Sequence, residues 1–315
     1  MIGIARSPGT CGELVQGTIN GMNFLVTCPV NVYSEVKVEL NNSGEIITGG
    51  DLPKVKQAVK KTLEFMDAAK LGATIQVSSD IPMGKGMASS TADIVAACAA
   101  VSLALGSCLS ASELAGIALG IEPTDGLMFN GITMFDHVEG QLHRYLGHAP
   151  RLEIVIVDLG GTVDTVAFNV NKNLENLNRQ KEPQVASALV KLEEALLKND
   201  SFKIGEAATE SAFANQKILY KQELQQLLDL CKCNGGVGIN VAHSGTVVGL
   251  MFEAGECNLN KVSNILSSHG FITLFNSRMV NGGVQVLREG SGDKTWQPLN
   301  TFMGETSERQ KKSTG

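Results

Sequence analysis

Apolar positions recur along this chain with two periods, and the period switches often. Between Val32 and Leu40 they alternate, with Val32, Val36, Val38 and Leu40 on one face, which predicts a strand. Asp51-Leu52-Pro53 predicts a helix start, with Asp51 as the cap and proline in the first turn. Val55, Val59, Leu63 and Met66 follow at helical spacing, and Gly72 is expected to end that element. A strand is expected from Ala73 to Val77 and an apolar helix from Asp93 to Leu105. Ser110-Ala111-Ser112-Glu113 has capping-box form and opens a further helix, closed by Gly120 and Pro123.

A domain boundary is expected near Gly147-His148-Ala149-Pro150, dividing the chain into 1–150 and 151–303. Past it, Leu152 to Leu159 is a nearly continuous β-branched run that reads as a buried strand, with Gly160-Gly161 as its turn. Helices are expected from Pro183 to Lys198, Phe202 to Leu219 and Lys221 to Cys233. Gly238 to Ala242 and Thr246 to Phe252 read as two strands around a tight turn. A helix from Lys261 to Ser268 and strands at Phe271 to Phe275 and Val284 to Leu287 complete an α+β arrangement. Residues 304–315, rich in Lys, Ser and Gly, are expected to be a disordered tail.

Composition narrows the possible functions. The 315 residues are 43% hydrophobic and 18% charged, enough for two domains with cores. A net charge of -6 offers no basic footprint for nucleic acid or anionic membranes. The longest apolar stretch, Ile94 to Leu105, falls short of the ~20 residues a membrane helix needs. The N-terminal residues lack signal-peptide features, so a cytoplasmic location is expected. Seven scattered cysteines suit reduced thiols, and Cys231-Lys232-Cys233 lacks zinc-ligand spacing.

The chemistry concentrates in Pro82-Met83-Gly84-Lys85-Gly86-Met87-Ala88-Ser89-Ser90-Thr91, between the second strand and the apolar helix. Backbone N–H groups of such a loop, aimed by a helix N-terminus, cradle phosphate oxygens, and the hydroxyls add hydrogen bonds or a magnesium ligand. The spacing is neither that of a Walker A loop nor that of a dinucleotide fingerprint. The string resembles Pro-x-x-x-Gly-Leu-Gly-Ser-Ser, the nucleotide-binding signature of the GHMP kinases. Pro82, Gly86, Ser89 and Ser90 match it, Met87 replaces leucine, and Ala88 replaces the second glycine. Ala88 is therefore expected to avoid positive φ, or the loop to differ locally. Lys85 lies either near the triphosphate or in solvent.

Two more segments share the resemblance. Arg6-Ser7-Pro8-Gly9-Thr10-Cys11-Gly12-Glu13-Leu14-Val15-Gln16-Gly17 is similar to the family's N-terminal motif, which lies beside the phosphoryl acceptor. Ala242-His243-Ser244-Gly245-Thr246 is similar to its third motif, with fewer glycines. The resemblance implies a two-domain fold: an N-terminal ribosomal-protein-S5-like α/β domain and a C-terminal ferredoxin-like α+β domain. It also implies ATP and Mg2+ as cofactors, with no nucleic acid or membrane partner, and leaves a homodimer open.

In Glu122-Pro123-Thr124-Asp125-Gly126 the resemblance makes Asp125 the candidate base, or a residue that only positions substrate. Ser90 with Glu122 is the favoured magnesium pair, Glu113 being the competitor. Within the family the likeness is greatest to L-threonine kinases that feed cobalamin side-chain synthesis, with homoserine kinase as the enzymatic alternative and a silent nucleotide-binding regulator as the other. The residues themselves reach only a small polar alcohol. For an amino acid acceptor, Arg6 is the candidate carboxylate clamp, and Glu13, Asp125 or Asp164 the ammonium partner. Gln16, His243, Ser244, Gly245 and Thr246 complete the expected acceptor side.

Overall fold

The computed structural model describes residues 1–161, 173–289 and 294–299. Asp164 and the tail from 304 lie outside the described residues. The first half contains β1 (Ile2–Ile19), β2 (Met22–Asn41), β3 (Ile46–Thr48), α1 (Pro53–Phe65) and β4 (Gly72–Ser79). It continues through α2 (Ser89–Ala104), α3 (Ala111–Leu119), β5 (Ile132–Phe135) and β6 (His143–Gly147). The second half runs β7 (Leu152–Asp158), α4 (Leu174–Lys198), α5 (Ser201–Ala214), α6 (Leu224–Cys233), β8 (Gly238–Val241) and β9 (Val247–Glu253). Then come α7 (Leu259–Ser268), β10 (Ile272–Arg278), β11 (Gln285–Glu289) and β12 (Lys294–Pro298).

The strands pair in the order β10-β7-β9-β8-β1-β2-β4-β3. The β10-β7-β9-β8 part is antiparallel throughout. Its chain order of strand, helices, two strands, helix and strand is the β-α-β-β-α-β pattern of ferredoxin-like sheets. The two sheet portions meet where β8 pairs with β1 at one register position, Glu13 opposite Val241. At this seam Gly12 has φ 57°, and a Cβ there would stand 2.4 Å from the Val241 backbone. Any side chain would push the sheets apart. The β11–β12 hairpin returns to the first half and pairs with Ala5 and Arg6 of β1, along the edge that β2 leaves free.

Two layers cover the first sheet portion. Helix α2 is buried nearly all round, which explains its uninterrupted run from Ile94 to Val101: one side meets β1 and β2, the other meets α1 and α3. Helices α4 and α5 pack over β1 and β8, and α6 and α7 cover β9 and β7.

Several local expectations need correction. Leu52, not Asp51, occupies the N-cap of α1, and no side chain caps it; Pro53 in the first turn needs no N–H partner. Gly72 is the first residue of β4, because α1 has already ended at Phe65. Pro183 lies inside α4, which starts nine residues earlier at Leu174. Strand β1 hides its alternation behind three register shifts between Pro8 and Val15. Ser110 and Glu113 form the expected capping box.

Candidate active site

The glycine loop between β4 and α2 is held by a buried side chain and by a main-chain hydrogen bond to β1. Met87 is buried in the core shared by both sheet portions, and its carbonyl accepts from Thr10 N of β1 at 3.0 Å. Gly84 and Gly86 take positive φ. Ala88 does too: as the N-cap of α2 it sits at φ 57°, ψ 32°. The left-handed turn has been kept although the glycine has not, so the expectation that Ala88 would avoid positive φ is overturned. A Cβ in this region costs about 1–2 kcal/mol, partly balanced by the chain entropy that alanine saves. Ala88→Gly should therefore raise stability, by at most about 1 kcal/mol, read as a higher urea midpoint at unchanged m.

Beside this loop lies a cleft of ≈ 400 Å³. Met83, Gly84, Gly86, Met87, Ala88, Ser89, Ser90 and Thr91 line it from the loop and the first turn of α2. Glu13, Glu122, Asp125, His243 and Ser244 line it as well. Residues far apart in sequence thus meet at one cleft, through the β1 bulges, the loop after α3 and the β8–β9 turn.

Three hydroxyl and carboxyl groups order the loop after α3. Thr91 Oγ1 donates to Asp125 Oδ2 at 3.3 Å and accepts from Thr124 Oγ1 at 3.1 Å and from Asp125 N at 3.4 Å. Asp125 is thereby tied to the helix that carries the phosphate loop. Burial pushes its carboxyl up to about 6, opposed by the Thr91 hydrogen bond and reinforced by Glu122. Glu13 is held well above the usual carboxylate range, by burial first and then by the charge of Asp125. Its Oε2 atom has no hydrogen-bond partner among the described residues.

Glu122 makes two contacts. One oxygen accepts from Ser90 Oγ, and the other pairs with Lys54 Nζ at 2.6 Å. Glu113, the competing candidate, uses its carboxylate to accept from Ser110 N at 2.7 Å and is committed to the cap of α3. Hard oxygen donors of this kind, a hydroxyl and a carboxylate beside a phosphate cradle, match the set Mg2+ uses when phosphates supply its other ligands.

Two histidines stand at the other end. His243 Nδ1 is 2.8 Å from Gln16 Oε1, and Gln16 Nε2 donates to Val241 O at 3.2 Å, so Gln16 acts behind His243 and does not line the cleft. His137 lines the cleft edge-on to His243, with ring centroids 5.1 Å apart, and its carbonyl accepts from Thr124 N. Burial lowers both imidazoles, His137 to about 4, and His243 well below its ordinary range with the neighbouring His137 and Lys181 adding to the effect, so both are neutral at neutral pH.

Not every expected site residue reaches the cleft. Pro82, Lys85, Gly245 and Thr246 do not line it. Neither does Arg6: its guanidinium lies over Tyr33 and Trp296, 4.1 and 4.3 Å from the ring centroids, and its Nε donates to Gln285 at 2.8 Å. The pairing of β1 with β2 and β11 puts Arg6 there, outside the lining of the cleft. Conversely, Asp51, Lys54, Thr124 and His137 line the cleft without having been singled out as site residues. Thr124 stood inside a quoted string, whereas nothing near His137 in the sequence marks it.

Comparison with known proteins places the chain in a family. The family model described as GHMP kinases N terminal domain matches residues 54–131, and that described as GHMP kinases C terminal matches 192–269. An L-threonine kinase of Citrobacter freundii is 34% identical over 295 residues, covering 90% of this chain and 99% of its own. The chain belongs to the GHMP kinases. A second L-threonine kinase, from Salmonella typhimurium, is 32% identical over 297 residues, covering 90% of this chain and 96% of its own. Among solved structures, homoserine kinase from Cytophaga hutchinsonii aligns with TM-score 0.72 at 18% identity, covering 90% of this chain and 97% of its own. Mevalonate kinase from Methanococcus jannaschii aligns with TM-score 0.68 at 18% identity, covering 88% and 98%. These two likenesses are of fold. The two-domain GHMP architecture is thus shared, and this kinase is a phosphotransferase that uses ATP and acts on a hydroxyl group. No helix among the described residues is long and apolar enough to cross a membrane.

Proposed function

We propose that this GHMP kinase transfers the γ-phosphoryl group of ATP to the hydroxyl of L-threonine, giving O-phospho-L-threonine for the cobalamin side chain. The full-length similarity to two L-threonine kinases motivates the reading. One structural observation carries it: among the described residues the cleft is lined by five carboxyl groups, Glu13, Asp51, Asp93, Glu122 and Asp125, against the one ammonium group of Lys54, which is paired with Glu122. Such a wall repels a purely anionic hydroxy acid and welcomes an acceptor that brings its own ammonium group.

The roles follow from position. The loop N–H groups and the α2 N-terminus hold the phosphates, and Leu52, Pro53, Val55 and Met83 offer an apolar wall to the base. Ser90 and Glu122 hold magnesium, which when bound supplies neutralising charge at the phosphates. Asp125, oriented by Thr91, accepts the proton of the acceptor hydroxyl as the phosphoryl group arrives. Glu13 faces the ammonium group, whose charge offsets the repulsion between the two buried carboxyls.

ADP release measured with L-threonine, L-homoserine, L-serine and mevalonate tests the reading. Threonine is expected to exceed each of the other amino acids by at least about tenfold in kcat/KM, the worth of a methyl or methylene in a fitted pocket, with mevalonate inactive. Turnover led by homoserine would make the enzyme a homoserine kinase. Turnover of mevalonate would refute the charge argument. ATP-dependent thermal stabilisation without ADP release for any acceptor would point to a silent nucleotide-binding regulator.

A further inference from the structure

The phosphate loop is fastened to the C-terminal half by a network in which Lys85 is the central residue. Its Nζ pairs with Asp158 Oδ2 at 2.7 Å and donates to Gly161 O at 2.8 Å. Asp158, at the C-terminal end of β7, accepts through Oδ1 from Thr246 Oγ1 at 2.6 Å and from Gly160 N at 3.0 Å. The Lys85 carbonyl accepts from Thr246 N at 2.9 Å and Val247 N at 3.2 Å. Lys85 and Thr246 are thus bound to each other by main chain and also joined through one carboxylate.

Packing tightens the same joint. A Cβ on Gly245 would stand 2.3 Å from Gly86 Cα, so the β8–β9 turn and the phosphate loop touch backbone to backbone. Lys221, buried on the far side of that turn, donates to Gly245 O at 2.7 Å. The ion pair is largely shielded, with the Lys85 side chain 21% exposed and that of Asp158 9%. A shielded, hydrogen-bonded pair of this kind fixes geometry more firmly than a surface pair.

We propose that Asp158 is a positioning residue for ATP: through Lys85 and Thr246 it holds the phosphate loop in its binding conformation before nucleotide arrives. The Lys85 side chain is then a strut between the two halves and not a phosphate ligand. Neither residue lines the cleft, and their effect on catalysis runs through the backbone of Gly84 and Gly86, which does. The inference rests on the kinase assignment and not on which alcohol is phosphorylated.

The test uses the full-length enzyme and compares Asp158→Asn, Lys85→Met, Lys85→Arg and the double variant Lys85→Met/Asp158→Asn. Asp158→Asn and Lys85→Met should each raise the KM for ATP about tenfold, the cost of breaking a hydrogen bond to a charged partner, while the acceptor KM hardly changes; Lys85→Met, which leaves the shielded Asp158 carboxylate without its cation, should also lower the melting temperature. The double variant should be no worse than the single variants, since both break one strut, and Lys85→Arg should recover most of the affinity. If Lys85 instead grips phosphate directly, Asp158→Asn would free it and leave the KM for ATP unchanged or lower; that result overturns the proposal. So would a parallel loss of melting temperature and of affinity for both substrates, which is the signature of a merely structural pair. The acceptor panel separates a failure here from a failure of the threonine assignment, because ATP affinity is read with any acceptor that turns over.

Discussion

Replacing Asp125 with asparagine is expected to lower kcat by about 10²–10⁴-fold while moving the KM for ATP little, the range removal of a general base produces. Asparagine keeps the hydrogen bond with Thr91 and the shape of the loop, so the loss isolates proton acceptance. A loss of less than about tenfold, ~1.4 kcal/mol of barrier, would mean that Asp125 only positions the acceptor. The pH profile gives a second reading. With the carboxyl raised to about 6, activity should rise with pH through that value and level off above it. Because Glu13 titrates against Asp125, the rise belongs to the pair. The stability linkage runs the opposite way. The folded-state value lies above the unfolded one, so ionising Asp125 costs stability that is present at low pH and lost as pH rises from about 4 through 6. At neutral pH the asparagine variant should therefore be the more stable protein, by up to about 3 kcal/mol. Equilibrium unfolding at pH 4 and pH 8 checks this: the gain should appear only at the higher pH.

Glu122→Gln is expected to lower kcat/KM by about 10²-fold, in the range found when one electrostatic contact to a transferring group is lost. The substitution preserves size and leaves an oxygen to accept from Ser90, but it removes the charge that faces Lys54 and that would face a divalent cation. The magnesium concentration at half-maximal activity should rise accordingly. Binding can be read without turnover, as the magnesium dependence of thermal stabilisation by a non-hydrolysable ATP analogue, and that dependence should shift in the same direction. Glu113→Gln is the control, because Glu113 is engaged in the cap of α3; it should cost some stability and leave the magnesium dependence alone. If both glutamates behaved alike, the Ser90–Glu122 pair would be structural.

The loop from Pro82 to Thr91 was readable because its chemistry is local. Glycines, hydroxyls and a helix start adjoin one another in sequence, and backbone N–H groups need no distant residue to form a cradle. The capping box at Ser110 was readable for the same reason. Ala88 marks the limit of that kind of reading. Intrinsic preference argued against positive φ, but Met87 buried on one side and α2 beginning on the other fix the turn, and the tertiary constraint outweighs a cost of about 1 kcal/mol. Arg6 marks another limit. An arginine in a motif expected near the acceptor looked like a clamp, yet two of the three register shifts of β1 lie between Arg6 and the cleft-lining Glu13, so simple alternation cannot tell whether Arg6 and Glu13 share a face.

The sequence by itself determined the strand–loop–helix around the glycine loop, the α+β layout, the family and the acid residues available for chemistry, because each rests on near neighbours or on composition. Tertiary structure alone decided which of those acids meet. It brought Glu13 of β1 to Asp125 of the loop after α3, left Glu113 in its cap and gave Glu122 to Ser90, and placed His137 at the cleft. It also tied Lys85 to Asp158 instead of leaving it in solvent. The physical reason is that charge coupling and burial depend on distances through space, and strand register and close backbone packing set those distances over separations in sequence that no local pattern records.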